Sequence, residues 1–255
     1  MTGRPACRSR LVLIPSYDTG PRLAETVRAA LDAWSPVWVV VDGSTDGSDA
    51  ALGTPAAGIT GLRVLRLPAN RGKGAAVRHG LLAAQAAGFT HALTMDADGQ
   101  HPAASIAPFM AASAASPDAM ILGRPVFDAS APALRVRGRR ISNWFADAET
   151  LRAGIGDCLC GFRVYPIAPL LAVMASTRWM RRFDFDPEAA VRLCWRGVRP
   201  VSLPVPVRYF AAEAGGVSHF RYGRDNLLLT WMHVRLVAGA AARLPVLLAR
   251  RHRRG

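Results

Sequence analysis

Short apolar runs, each closed by Gly, Pro, Asp or Asn, recur along the first half of the chain. LVLIP at 11–15, VWVVV at 37–41 and LRVLRL at 62–67 are β-branched or leucine-rich and have the length of strands. Between the first two, Leu23, Val27, Ala30, Leu31 and Trp34 recur at helical spacing. A second helix is predicted over 74–87, a strand through FTHALTM to Met95, a helix after Pro102 and a strand at 119–123. Strands alternating with helices predict an α/β fold, a mainly parallel sheet flanked by helices on both faces.

Past residue 124 the pattern loosens. RVRGRR (135–140) reads as a basic loop, ISNWFADAETLRAG as a helix and CGFRVYP as a strand entering a turn. FDFDPEAAVRLCWRG contains a helix start, with Asp186 suited to the N-cap, Pro187 to the first helical position and Glu188 to the first turn. Capping alone accounts for both acidic residues, and that reading stands beside a catalytic one.

The longest apolar stretch, 227–249, carries Arg235, Arg243 and Pro245. An arginine at mid-membrane costs about 2.5–3.5 kcal/mol on insertion scales, so two of them argue against a spanning helix. The expected division is a catalytic domain over 1–225 and an apolar helix with a basic tail over 226–255. Two readings of that tail stay open: a core helix with a solvated end, or an amphipathic element held on an anionic membrane by ARRHRRG.

A chain of 255 residues, 51% hydrophobic, has the size of one large domain. Its formal charge of +14 comes almost wholly from arginine, Lys73 being the single lysine, so charge by itself selects no partner. The four cysteines form no CxxC pair, which suits a reducing compartment. MTGRPACRSR lacks the apolar segment of a signal peptide, so a cytoplasmic location is expected, peripheral to the inner membrane face if the tail binds there.

Polar clusters follow each predicted strand: PSYD, DGSTDGS, NRGKG and DADGQH. Sheets of this class bind ligands beyond the carboxyl ends of their strands. In DADGQH, Asp96 and Asp98 are two positions apart and point the same way if the strand continues, so their charges repel unless a cation intervenes. Hard oxygen ligands select Mg²⁺ or Mn²⁺, and an ion held by so few protein groups completes its shell from substrate phosphates. A diphosphate is the expected ligand.

In this order, IPSYD, VVVDGSTDGS, NRGKGAAVRHG, MDADGQHP, GRP, GFRVYP, FDFDPE and GVSHFR resemble the family 2 glycosyltransferases of GT-A fold, from about Leu11 to Arg221. The series is most similar to the dolichyl-phosphate mannose synthase-like branch. GVSHFRYGRDN with WMHVRL is also similar to stand-alone glycosyltransferases of aryl polyene and related lipid pathways. The resemblance implies inverting transfer of a sugar from a nucleotide-sugar to a lipid-like or polyprenyl-phosphate acceptor, with the metal neutralising the departing diphosphate. It implies donor-side roles for Pro15, Tyr17, Asp18, Asp42, Lys73 and Arg124. It gives Asp96 and Asp98 the metal and diphosphate, with Gln100 following as a further candidate ligand, and it sets Asp186 and Glu188 in the acidic motif beside the acceptor.

The chain departs from the family pattern at three places. Val41-Asp42 stands where two aspartates are common, Asp18-Thr19 where Asn-Glu is usual, and Gly216-Val217-Ser218-His219 where Gly-x-Ser-Lys is usual; His219 and Arg221 are the expected substitutes for the missing positive charge. A sugar-nucleotide-forming nucleotidyltransferase would open on a Gly-rich phosphate loop, which IPSYDTG does not provide, and neither GxGxxG nor a P-loop is complete. A nucleic-acid partner is not expected, because Asp18, Asp42, Asp46, Asp96 and Asp98 on one rim would repel its phosphates.

Overall fold

The computed structural model describes residues 6–53, 59–127, 133–208 and 222–252. In chain order the elements are β1 (Arg10–Ser16), α1 (Arg22–Ala33), β2 (Val37–Asp42), β3 (Leu62–Leu67), α2 (Lys73–Ala86), β4 (His91–Thr94), α3 (Ile106–Ala115), β5 (Ala119–Phe127), α4 (Ala133–Glu149), β6 (Arg163–Pro166), α5 (Ile167–Ala175), α6 (Phe185–Trp195), β7 (Arg199–Val207), α7 (Tyr222–Ala242) and α8 (Leu244–His252).

One seven-stranded sheet has the order β3-β2-β1-β4-β6-β5-β7, with β6 antiparallel to both neighbours and every other pairing parallel. Helices α1 and α3 cover one face, where Leu23, Val27 and Phe109 meet Val39, Leu93 and Val164. Helices α2, α5 and α6 cover the other, where Val77, Leu170 and Val191 meet Leu13, Val40 and Tyr165. A strand packed on both faces has no polar side to show, which explains why VWVVV lacks alternation and is buried throughout. Its neighbour β3 lies at one edge and is nowhere fully buried, with Arg63 and Arg66 exposed and Arg63 spreading over the Trp38 ring at 4.4 Å.

At the other edge, β7 contains Pro200, Pro204 and Pro206. These share one parity, so the N–H groups they lack all belong to the side away from β5. The antiparallel β6 has a second consequence. It begins on the rim where β5 ended, so α4 and residues 150–162 stay at that rim instead of crossing behind the sheet.

One expectation is corrected. RVRGRR is part of α4 and not a loop: arginine is a good helix former, and Gly138 weakens the helix without ending it. The division expected at 225/226 falls inside α7. That helix packs on α4 through a buried bond between His233 Nδ1 and Glu149 Oε1 at 2.8 Å, with Phe145 stacked on the His233 ring, and on α6 through Arg235 and Glu188. Among the described residues no single helix is long and apolar enough to cross a membrane; α7 and α8 together have the length but are bent by 74°.

Candidate active site

The polar loops that follow the parallel strands converge on one rim, and backbone N–H groups hold them there. After β1, Asp18 takes a positive φ of 41° and its Oδ1 accepts from Thr45 N at 2.7 Å and Asp46 N at 3.3 Å. Asp46 Oδ2 accepts from Gly20 N at 2.8 Å, so the loops after β1 and β2 are tied in both directions. Pro15 is buried within β1, and Tyr17 stands half-buried at its end. Asp42, at the end of β2, accepts from Arg71 N at 2.9 Å and Gly72 N at 2.7 Å. Its carboxylate therefore holds the NRGKG loop against the end of β2.

That loop aims Lys73, the first residue of α2. Its Nζ is 2.6 Å from Asp96 Oδ1 and 2.6 Å from Asp186 Oδ2. Burial disfavours the ammonium, but the charges of Asp186 and Asp96 outweigh it and hold Lys73 above its ordinary value. Lys73 is thus an integral part of the site and not a solvated loop side chain. Opposite it, a Cβ on Gly161 would overlap Asp96 Oδ2 and come within 2.7 Å of Lys73 Nζ, so only glycine lets the start of β6 approach this pair.

β4 ends at Thr94, and Asp96 and Asp98 lie in the turn beyond it, not on an extended strand as their spacing suggested. Burial works against the Asp96 carboxylate, yet the Lys73 ammonium brings it below the usual range. Asp98 has no such partner: burial, and then the neighbouring Asp96 charge, push it up to about 6. The Gln100 N–H donates to Asp98 Oδ1 at 3.0 Å, and the Gln100 carbonyl accepts from Arg208 N at 3.0 Å, fastening this turn to the end of β7.

These two carboxylates in one turn form a hard oxygen donor set that fits Mg²⁺ or Mn²⁺. Among the described residues no group of three or more acidic, His or Cys side chains could hold a metal. An ion here would rely on Asp98 and Asp96 and take its other ligands from outside the protein.

The acidic motif is arranged differently from its sequence reading. Helix α6 starts at Phe185, so Asp184 precedes it, Asp186 is the second residue and Pro187 the third. Asp184 accepts from Met180 N and Arg182 N, both at 2.9 Å, and shapes the turn that leads into the helix. Glu188 is fully buried: Arg192 Nε donates to its Oε1 at 2.7 Å, and Arg235 reaches Oε1 and Oε2 at 3.1 and 3.0 Å. With both oxygens bound by guanidinium groups, Glu188 anchors α7 to α6. Asp186 is also buried, but its Oδ1 has no hydrogen-bond partner among the described residues.

Arg163 was not singled out in the sequence, although an arginine inside the apolar run CGFRVYP is itself a signal. It is fully buried on β6 and donates to Cys160 O at 2.5 Å, to Asp186 O at 2.5 Å and to the Tyr165 hydroxyl at 2.9 Å, holding the Asp186 backbone in place. Arg124 lies exposed near the end of β5, on the same rim. His219 and Arg221 lie outside the described residues.

Solved structures share this architecture. Glucosyl-3-phosphoglycerate synthase from Mycobacterium tuberculosis, in complex with Mn²⁺, uridine-diphosphate-glucose and phosphoglyceric acid, superposes with a TM-score of 0.60 at 15% identity, covering 92% of this chain and 80% of that one. S. aureus TarS 1-349 in complex with UDP-GlcNAc gives a TM-score of 0.59 at 14% identity, covering 95% and 72%. Among curated proteins, no sequence matches. The family model described as "Glycosyl transferase family 2" matches residues 11–172, a span that holds the loops after β1 and β2, Lys73 and the Asp96–Asp98 turn. With the GT-A sheet built around them, the chain belongs to glycosyltransferase family 2.

Proposed function

We propose that this glycosyltransferase moves a sugar, with inversion, from a nucleotide-sugar to a hydroxyl of a lipid-like acceptor at a membrane surface, as a member of the mannose synthase-like branch. The observation that carries the reading is the unpartnered, buried Oδ1 of Asp186, joined through Lys73 to the carboxylate pair of the donor side. The acceptor oxygen attacks the anomeric carbon, the bond from that carbon to the diphosphate oxygen breaks, and the diphosphate leaves with the electron pair. The hydroxyl proton passes to Asp186 Oδ1, a general-base contribution of about 10²- to 10⁴-fold. Lys73 orients that carboxylate through Oδ2, and Arg163 fixes its backbone. A divalent ion bound by Asp98 and Asp96 would supply charge neutralisation for the departing diphosphate.

The membrane part of the reading is supported by an exposed apolar band. Ile141 and Trp144 on α4 are 62% and 65% exposed, beside the exposed Arg137 and Arg140, and Leu227 and Trp231 on α7 are 72% and 51% exposed. The donor classes named for the similar structures, UDP-glucose and UDP-GlcNAc, are the first to try. Nucleotide-sugar binding with and without Mn²⁺ should show tight binding only with metal in the wild type, and none with metal in Asp98→Asn. Asp186→Asn should bind donor normally and lose transfer. Donor binding that survives EDTA unchanged contradicts the metal role, and full transfer by Asp186→Asn contradicts the base and points to an acceptor that attacks through its own phosphate.

A further inference from the structure

Three arginines around the site have an acidic partner. Arg192 and Arg235 share Glu188, and Arg139 pairs with Asp157 at 2.6 Å. The segment between α5 and α6 is different. Arg178, Arg181 and Arg182 are exposed, and no carboxylate among the described residues pairs with any of them. The nearest candidate, Asp184, already has both oxygens on the N–H groups of Met180 and Arg182. These three arginines, with Trp179, Asp184 and Leu228 of α7, line one cleft of about 300 Å³. Three guanidinium groups within five residues repel one another, and they stay together only because the backbone between them is fixed.

The same segment is built into the reaction centre. Ala75 N donates to Arg181 O at 3.1 Å, and a Cβ at Gly74 would overlap the Met180 carbonyl, so residues 180–182 lie directly on the start of α2. The other end of the segment continues into Asp186. Along this segment the cleft lining therefore ends two residues before Asp186, the carboxylate assigned to the acceptor, and it includes neither Asp96 nor Asp98. Guanidinium forks are well matched to phosphate oxygens.

Resting on the acceptor reading above, we infer that this cleft binds a phosphate group carried by the acceptor, separate from the hydroxyl that attacks. Trp179 and Leu228 give the cleft an apolar wall against which the carbon skeleton beside the phosphate packs. The phosphate belongs either to a phospholipid headgroup or to a free phosphorylated polyol; the recognition chemistry is the same for both.

The test is binding in EDTA, which removes metal-dependent phosphate sites. Calorimetry with inorganic phosphate, glycerol 3-phosphate and glycerol is run beside co-sedimentation with phosphatidylcholine vesicles with and without phosphatidylglycerol. Wild type should bind the phosphate compounds and not glycerol, and Arg178→Gln/Arg181→Gln should weaken that binding about tenfold or more. A charge-matched control, Arg28→Gln/Arg78→Gln, should bind as wild type does. Binding of glycerol 3-phosphate supports a soluble source; retention only on phosphatidylglycerol vesicles, lost in the Arg178/Arg181 variant, supports a lipid one. No binding in any arm, or equal affinity in both double variants, overturns the inference. Nucleotide-sugar binding with Mn²⁺, measured on the same preparations, separates the two readings: its loss in wild type would sink the transfer reading, while its retention leaves a negative result to count against the cleft alone.

Discussion

A carboxylate bound at both oxygens by guanidinium groups is a poor proton acceptor, and Glu188 is in that state, whereas Asp186 two residues earlier keeps Oδ1 open. Glu188→Gln should therefore act on the fold. Removing one member of a buried ion-pair network typically costs about 3–5 kcal/mol, because Arg192 and Arg235 lose their compensating charge. Chemical denaturation should report that loss, with residual activity scaling with the folded fraction; full stability with no transfer would instead return the base to Glu188. His101 makes a pH-dependent contribution. Burial, against a raising effect of Asp96, pushes its imidazole down to about 4, and its Nδ1 is buried without a partner, with the ring against Phe162. A histidine whose folded value lies below its unfolded 6.5 stabilises the protein above that pH and withdraws the contribution as pH falls toward 4. The difference amounts to about 3 kcal/mol at the acid end. Melting curves from pH 7 to 4 should fall less steeply for His101→Gln; parallel curves would refute the assignment. At this scale the sequence displayed the chemistry but not the allegiances. Spacing put Asp96 and Asp98 together, but nothing in NRGKG says that Lys73 spans to a residue 113 positions away, nor does FDFDPE say which of its acids is spent on arginines from α6 and α7.

Elements with a clean period were readable: strands β1 to β4 and helices α1 and α2 fall where the apolar spacing put them, because each buries a continuous face. Two elements escaped for opposite reasons. The first half of α4 has too little apolar content to announce itself, and β7 reads as loop because its prolines are tolerable only on an edge, a fact of topology that no local pattern contains. β6 lies within CGFRVYP, which reads as a strand, but its antiparallel direction is not legible, since four buried residues carry no direction. Gly74 tests how far element packing governs the site. In an isolated helix, Gly to Ala is favourable by about 1 kcal/mol. Here the added Cβ would meet the Met180 carbonyl and lie 2.8 Å from Phe185 Cβ. Gly74→Ala should push the start of α6 off α2, lower the melting temperature and cut turnover by about 10²-fold through misplacement of Asp186. A stabilised, fully active variant would show that the two elements are not rigidly coupled.

Over the described residues, most of the large apolar side chains left in solvent lie on α4, α7 and α8, with Trp144 and Trp231 the largest of them. Tryptophan favours the interface between water and lipid. Trp144→Ser/Trp231→Ser should reduce co-sedimentation with anionic vesicles while donor binding persists, and the wild-type signal should weaken as salt rises past a Debye length of about 10 Å at 0.1 M. Equal partition of variant and wild type would leave the band as a surface without a membrane role. The two margins of the sheet bear on how copies of the chain meet one another. An uncovered strand is a template for another, and the usual result is stacking into fibrous aggregates. Here one margin displays arginines at 63 and 66, and the other lacks an outward hydrogen-bond donor at three alternate positions. A second molecule finds no continuous ladder to extend at either side. Crowding at a surface, which would drive open-edged proteins toward polymerisation, leaves this one with sheets that end where its own chain ends them.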